Sequence, residues 1–273
     1  PEGATFLKAQ KNVEVIENTG LSGNALVTAI AEADGVIVRS SVKLTEEILD
    51  KAYQNPECRL KGIARAGVGV DNIDLQTATK YGIAVMNSAS ASTITTAEHA
   101  FALMISLARN VANSNGVFRS GGWDRSKYVG VQLAGRTLGI VGMGRIGQAV
   151  ARRALAFGMD VIGFDPFMKE VTALDGQVRM MKSFNDLITA VDIVSFHVPR
   201  TEETDGMLGA EQFAICKPDL LVVNTARGGI VNEKALIQAL DKNQCGGAAI
   251  DVFMSEPPAE DHPFRTHPKV LAT

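Results

Sequence analysis

"LGIVGMGRIGQAVARRALAFGMDVIGFD", residues 138–165, is the stretch whose reading decides the fold. An apolar, β-branched run leads into Gly142-Met143-Gly144-Arg145-Ile146-Gly147. A helical pattern follows, then a second apolar run that ends on Asp165. The glycines fall at G-x-G-x-x-G spacing between a strand and a helix. Gly142 permits the tight turn. Gly144 lets backbone N–H groups approach an anion without a Cβ in the way, and Gly147 lets the helix lie close on the strand. The first helical turn adds unpaired N–H groups and the positive end of the helix dipole. Asp165 lies 165 − 147 = 18 residues beyond the last glycine. An acid at about that distance hydrogen-bonds the ribose hydroxyls of a dinucleotide and repels a 2′-phosphate, so the expected cofactor is NAD rather than NADP. The plainer account, a glycine-rich turn beside a surface Asp, leaves the register of strand, helix and acid unexplained.

The same rhythm extends outward in both directions. Strands are expected at 13–17 ("VEVIE"), 35–40, 60–65 and 83–87, and again at 137–142, 160–165, 192–197, 220–224, 247–251 and 269–272. Their apolar runs are continuous rather than alternating, which suits strands buried on both faces of a parallel sheet. Helical periodicity covers 22–33, 45–54, 74–81, 144–157 and 232–240. The βαβ alternation predicts an α/β protein with two doubly wound parallel-sheet lobes. The longest helix is expected at 96–109, with Thr95 and Glu98 as a capping box. Its stripe of Ala97, Ala100, Phe101, Met104, Leu107 and Ala108 suits either core packing or a dimer seam. Residues 110–136, less regular and holding the single Trp123, read as a connector between lobes. The boundary is placed so that 1–93 and 94–273 form the two domains.

Composition narrows the classes of function. Apolar residues make up 46% and charged residues 21%, an ordinary globular balance with enough apolar surface for a core. No apolar run is long enough to span a bilayer. A formal charge of −3 gives no electrostatic reason for nucleic acid or an anionic membrane as partner. Cys58, Cys216 and Cys245 are scattered, which points to structural thiols in a reducing, cytoplasm-like compartment and to no metal site. The chain starts on Pro1, so a targeting segment upstream is an open alternative.

In open α/β sheets, chemistry gathers in loops after the carboxyl ends of strands. Three such loops stand out: Thr225-Ala226-Arg227-Gly228-Gly229, "DVFMSEPP" with Glu256, and "ARAGVGVDNID" at 64–74. A guanidinium beside two glycines suits bidentate grip of a carboxylate; the alternative is a surface ion pair.

Together "LAGRTLGIVGMGRIGQAVARRALAFGMDVIGFDP", "SFHVP", "LLVVNTARGGIVNEKAL", "GGAAIDVFMSEPP" and "ARAGVGVDNID" resemble the D-isomer-specific 2-hydroxyacid dehydrogenase family, over nearly the whole chain. Within it, "VIVRSSVKLTEEIL" and "NTARGGIV" most resemble the branch acting on 3-phosphoglycerate in serine biosynthesis. The resemblance implies a Rossmann NAD-binding domain inserted into a flavodoxin-like substrate domain, and a homodimer or higher homo-oligomer. It implies reversible hydride transfer between nicotinamide and C2 of a D-2-hydroxy acid. By residue, it assigns Arg227 to the substrate carboxylate and carbonyl oxygen. Glu256 becomes the partner of a catalytic imidazole, while Val68 and Gly69 supply backbone to the substrate carboxylate. Arg39 and Ser40 go to the substrate phosphate. On the cofactor side it assigns Arg145 and Ile146 to the pyrophosphate, Thr225 and Ala226 to backbone contacts, and Asp251 to the carboxamide.

The chain departs from the family pattern at several points. The family's catalytic histidine lies in a P-H-x-G stretch that would follow Thr273, along with a helix returning to the substrate lobe, and that lobe's first strand is also expected to be missing. His99 then reads as a packing or interface residue and His197 as an edge of the cofactor pocket. His262 and His267 read as solvated side chains. Ala89, Ser92-Thr93 and Val68 replace residues common in the phosphoglycerate branch. Alternatives are therefore a glyoxylate or hydroxypyruvate reductase, or an NAD-sensing corepressor-like binding protein of the same fold.

Overall fold

A computed structural model describes residues 2–273. The chain divides into two compact units, one ending at Ser92 and the other running Thr93–Thr273.

The first unit holds α1 (Glu2–Lys8), α2 (Gly23–Ala31), β1 (Gly35–Val38), α3 (Glu46–Tyr53), β2 (Gly62–Arg65), α4 (Leu75–Lys80) and β3 (Ala84–Asn87). Its three strands are parallel in the order β1-β2-β3, joined by crossover helices α3 and α4. Thr45 and Asp74 cap those helices by accepting from Ile48 N and Thr77 N. Side chains alternate across the sheet. On one face Val38 and Ile63 join Leu26, Ile30, Leu49, Ala52 and Ala78 in a core, with Val36 and Val85 packed against it. On the other face Ile37 and Met86 flank Ala64 in register and are 61% and 58% exposed. Burial on both faces, expected for these strands, therefore fails here: α2, α3 and α4 all contribute to the core on the first face. Residues 13–17 also form no strand. β1 is an edge whose outer side is unpaired among the described residues, and β propensity alone does not make a ladder.

The second unit begins with α5 (Thr93–Ala108) and α6 (Val111–Arg119), followed by β4 (Thr137–Val141), α7 (Arg145–Ala156), β5 (Asp160–Phe164) and β6 (Val178–Met180). It continues through α8 (Phe184–Ala190), β7 (Ile193–Phe196), α9 (Ala210–Ile215), β8 (Leu221–Asn224), α10 (Glu233–Asp241), β9 (Gly247–Ile250) and β10 (Val270–Ala272). All seven strands are parallel in the order β6-β5-β4-β7-β8-β9-β10. Strand order reverses at β4, so the crevice beyond the carboxyl ends of β4 and β7 is where such a sheet receives a ligand.

Here the central strands β4, β5, β7, β8 and β9 are buried on both faces, and successive residues feed two cores. Ile140, Val161, Ile193, Val223 and Ala249 pack with α5 and α7. Val141, Ile162, Val194, Val222 and Ala248 pack with α8, α9 and α10. Each fully buried Ile, Val or Leu is worth about 1.5–3 kcal/mol, less the chain entropy lost in ordering it.

Several expectations change in this unit. α5 starts at Thr93, so Thr95 lies inside the helix and Glu98 is no capping partner; its carboxylate pairs with Arg153 at 3.0 Å. The apolar stripe of α5 is core, with Ala97, Ala100 and Met104 fully buried. Residues 110–136 are not a link between units: they lie within the second one, carry α6, and bury Leu133. The three cysteines are free. Among the described residues no helix is long and apolar enough to cross a membrane, and no cluster of His, Cys, Asp and Glu could hold a metal.

Candidate active site

The glycine turn sits at the switch point. Gly142 has φ +91°, a region open to glycine, and a Cβ there would meet His197 O at 2.7 Å. Gly147, in the first turn of α7, faces the turn itself: a Cβ would lie 2.1 Å from Gly142 O. Gly144 differs, since a Cβ there would meet nothing within 4 Å. Two of the glycines let chain meet chain, and the third borders open space.

Besides α3 and α4, α8 and α10 receive side-chain caps, from Ser183 to Asp186 N and from Asn232 to Ala235 N. α7 opens on Gly144 with no side-chain cap, as α2 and α6 also open without one. Its first-turn N–H groups are a ready anion seat.

Asp165 follows the last residue of β5 and is pinned beside this turn. Its Oδ2 accepts from Met143 N at 3.0 Å and its Oδ1 from Phe167 N at 2.9 Å. Two backbone donors fix the carboxylate where an adenosine ribose would meet it, with lone pairs left on both oxygens.

At the carboxyl end of β8, Asn224 braces the Thr225–Gly229 loop. Only 2% exposed, it accepts from Ala226 N at 3.1 Å and donates to Arg227 O at 2.9 Å. Thr225 is 9% exposed, and its Oγ1 is buried with no hydrogen-bond partner among the described residues. Arg227 is half-buried and its guanidinium donates to Ala226 O at 2.6 Å. Gly228 allows the next loop to approach, for a Cβ would fall 1.9 Å from Phe253 O.

That next loop follows β9. Glu256 is exposed and accepts from Phe253 N at 3.1 Å. Glu233, in the first turn of α10, accepts from Met254 N at 2.8 Å and meets His262 Nε2 at 3.2 Å. His262 Nδ1 accepts from Phe264 N, and its ring lies against Phe253 and Phe264. The side chain is 15% exposed, so His262 is a brace for this loop rather than a solvated group. His267 is likewise drawn in, 13% exposed and 3.5 Å from Asp241. Sequence reading missed both because their partners belong to α10, more than twenty residues away.

His197, half-buried at the end of β7, meets Ser195 Oγ at 2.9 Å. Burial pushes its pKa down to about 4, so the ring is neutral at pH 7. His99, read as a packing or interface residue, stands 3.2 Å from Asp251 with 43% of its side chain exposed.

The residues assigned to substrate in the first unit lie at its strand ends. Arg39 and Ser40 are exposed just past β1, where Asn72 Nδ2 holds the Arg39 carbonyl at 3.1 Å. Val68 and Gly69 follow β2, and the Val68 carbonyl accepts from Asn87 Nδ2 at 2.6 Å.

The open space at Gly144, the uncapped helix, the pinned Asp165 and the orphaned Thr225 hydroxyl all fit a dinucleotide. Comparisons with known proteins agree. Residues 101–273 match the family model described as D-isomer specific 2-hydroxyacid dehydrogenase, NAD binding domain. The chain is 43% identical over 260 residues to a D-3-phosphoglycerate dehydrogenase of Methanocaldococcus jannaschii, covering 95% of this chain and 48% of that one. It is 46% identical over 240 residues to the Bacillus subtilis protein of the same name, covering 88% and 44%. The chain thus spans about half the length of the curated relatives it matches. Among solved structures, the TT0316 protein of Thermus thermophilus matches with a TM-score of 0.84 and 36% identity, over 96% of this chain and 81% of that one. The D-lactate dehydrogenase of Aquifex aeolicus, complexed with NAD and lactic acid, matches with a TM-score of 0.80 and 31% identity, over 90% and 77%.

Proposed function

The chain belongs to the D-isomer specific 2-hydroxyacid dehydrogenase family, and from that premise we propose that it is the NAD-binding and part of the substrate-binding portion of a D-3-phosphoglycerate dehydrogenase. The carrying observation is the bare Gly144 approach beside the pinned Asp165 carboxylate. The names of the curated relatives support the substrate, as does the exposed Arg39 at a strand end, whose planar fork suits a phosphate.

The first-turn N–H groups of α7, Arg145 and Ile146 among them, would hold the pyrophosphate. Asp165 would hold the ribose, Thr225 and Ala226 the backbone contacts, and Asp251 the carboxamide. Bound NAD supplies the hydride acceptor. Arg227, on its Asn224-braced loop, would orient the substrate through carboxylate and carbonyl oxygen; in the first unit, Val68 and Gly69 would offer backbone to a substrate carboxylate. Arg39 and Ser40 would take the phosphate. The Glu256 carboxylate would stabilise a neighbouring imidazolium and so raise that imidazole's pKa toward the range of a general base.

The domain assignment follows: residues 1–93 serve substrate and 94–273 serve cofactor. Val111, Phe118, Trp123 and Val129 are 51–75% exposed on and just after α6, and we assign this apolar surface to a second copy in a homodimer. Location in the cytoplasm accords with the three free thiols.

Calorimetric titration tests the cofactor: NAD should bind at least tenfold tighter than NADP, and Asp165→Ala should erase the difference. Equal affinities in the native chain would refute the assignment. NADH formation, measured on the protein extended through the P-H-x-G stretch, tests the substrate. 3-Phosphoglycerate should exceed glycerate and lactate, and Arg39→Ala should remove that preference. Arg227→Lys should abolish turnover and spare NAD binding, because a point charge cannot replace the planar fork.

A further inference from the structure

Asp251, just past β9, has an asymmetric set of partners. Its backbone N donates to Asn224 O at 3.0 Å, tying it to the end of β8. Its Oδ1 accepts from Thr273 Oγ1 at 2.7 Å and faces His99 Nε2 at 3.2 Å. Thr273 follows β10 and is fixed by its own N–H on Ile250 O at 3.1 Å; His99 stands on α5, whose buried face packs in the second unit's core. One hydrogen bond, from Thr273 Oγ1, and the nearby His99 ring, within ion-pair reach, therefore meet on one oxygen from two different elements. The other oxygen, Oδ2, has no partner among the described residues, and 34% of the side chain is exposed.

A carboxylate used only as a structural anchor would gain by engaging both oxygens. This one is immobilised through Oδ1 while Oδ2 keeps its acceptor capacity at the carboxyl edge of the sheet. We propose that His99 and Thr273 are positioning residues, which hold Asp251 so that Oδ2 accepts an N–H of the nicotinamide carboxamide and thereby sets which ring face is presented. The inference rests on the NAD reading above. It assigns a role to His99 that its place inside an amphipathic helix does not suggest. An unclamped Asp251 would have to freeze its rotamers on binding, and the lost affinity would fall on the nicotinamide half alone.

Calorimetry on the full chain separates the cases, with NAD, ADP-ribose and 3-acetylpyridine adenine dinucleotide as probes. ADP-ribose lacks the nicotinamide, and the acetylpyridine analogue lacks the amide N–H. His99→Leu should weaken NAD about tenfold, roughly the worth of one oriented charge-assisted hydrogen bond. ADP-ribose should stay within about twofold and the analogue should lose less than about threefold, on the same scale. His99→Gln, which keeps an N–H donor, should recover most of the NAD affinity. Equal losses for NAD and ADP-ribose would mean that His99 only packs the helix, and an unchanged NAD affinity would mean that the clamp does nothing; either overturns the proposal. If the native chain bound neither NAD nor ADP-ribose, the cofactor reading itself would fall, and this inference with it.

Discussion

Alanine placed at Gly144 and at Gly147 should separate folding from binding. The two glycines are three residues apart and belong to one motif, yet their surroundings differ. At Gly147 the new methyl would sit 2.1 Å from the Gly142 carbonyl oxygen, well inside contact distance, and a backbone carbonyl cannot rotate away as a side chain would. Helix and turn must part by about 1 Å, the kind of overpacking that costs about 1–3 kcal/mol. In a unit of this size that lowers Tm by several degrees. At Gly144 the backbone has φ −68°, accessible to alanine, and the methyl meets nothing within 4 Å. The weaker N-cap and the lower entropy of the unfolded chain roughly cancel, so stability should move by less than about 1 kcal/mol. On the proposed NAD reading the methyl would occupy the path of the pyrophosphate. Loss of one charge-assisted hydrogen bond there, about 1.5–3 kcal/mol, weakens NAD roughly 10- to 100-fold. Urea melts and calorimetric NAD titrations on both variants read the two quantities independently. The reasoning fails if Gly144→Ala binds NAD as the native chain does, or if Gly147→Ala is as stable as the native chain.

Two further outcomes follow from buried polar groups. Asn224→Ala removes the acceptor of Ala226 N and the donor to Arg227 O at a site 2% exposed, so urea unfolding should show a loss of about 1–3 kcal/mol, and proteolysis should begin within 225–229. His197, neutral with its pKa down at about 4 against 6.5 when unfolded, makes the unfolded chain the stronger proton binder between those values. Stability of the ligand-free chain should therefore fall by about 2 kcal/mol from pH 7 to pH 5, and His197→Gln should flatten that decline. A slope unchanged by the substitution would assign the effect to other groups.

How much of this was legible in the sequence depended on range. The turn at Gly142–Gly147 and Asp165 lie within one βαβ unit, so local spacing carried their geometry. Strands β4, β5, β7, β8 and β9 were visible because apolar runs buried on both faces leave a continuous signal. β6 was missed because it is three residues long with Arg179 at its centre, and α8 and α9 because seven and six residues fall short of two full turns. Residues 13–17 carry the residue types of a strand yet join no ladder, because residue type alone does not specify a partner. The braces were invisible for another reason. His99 and Asp251 are joined only by the folded sheet, as are His262 and Glu233, and no local pattern marks either pair. Arg227 and Glu256 are singled out by the family motif; the bracing of their loops by Asn224 and Glu233 emerges only in three dimensions.

The most direct test of the account is a crystal structure of this chain grown with NAD. The pyrophosphate should lie within about 3 Å of the first-turn N–H groups of α7, with the adenosine ribose hydroxyls on Asp165. A cofactor seated elsewhere, or a crevice at Gly144 that stays empty at saturating NAD, would contradict it.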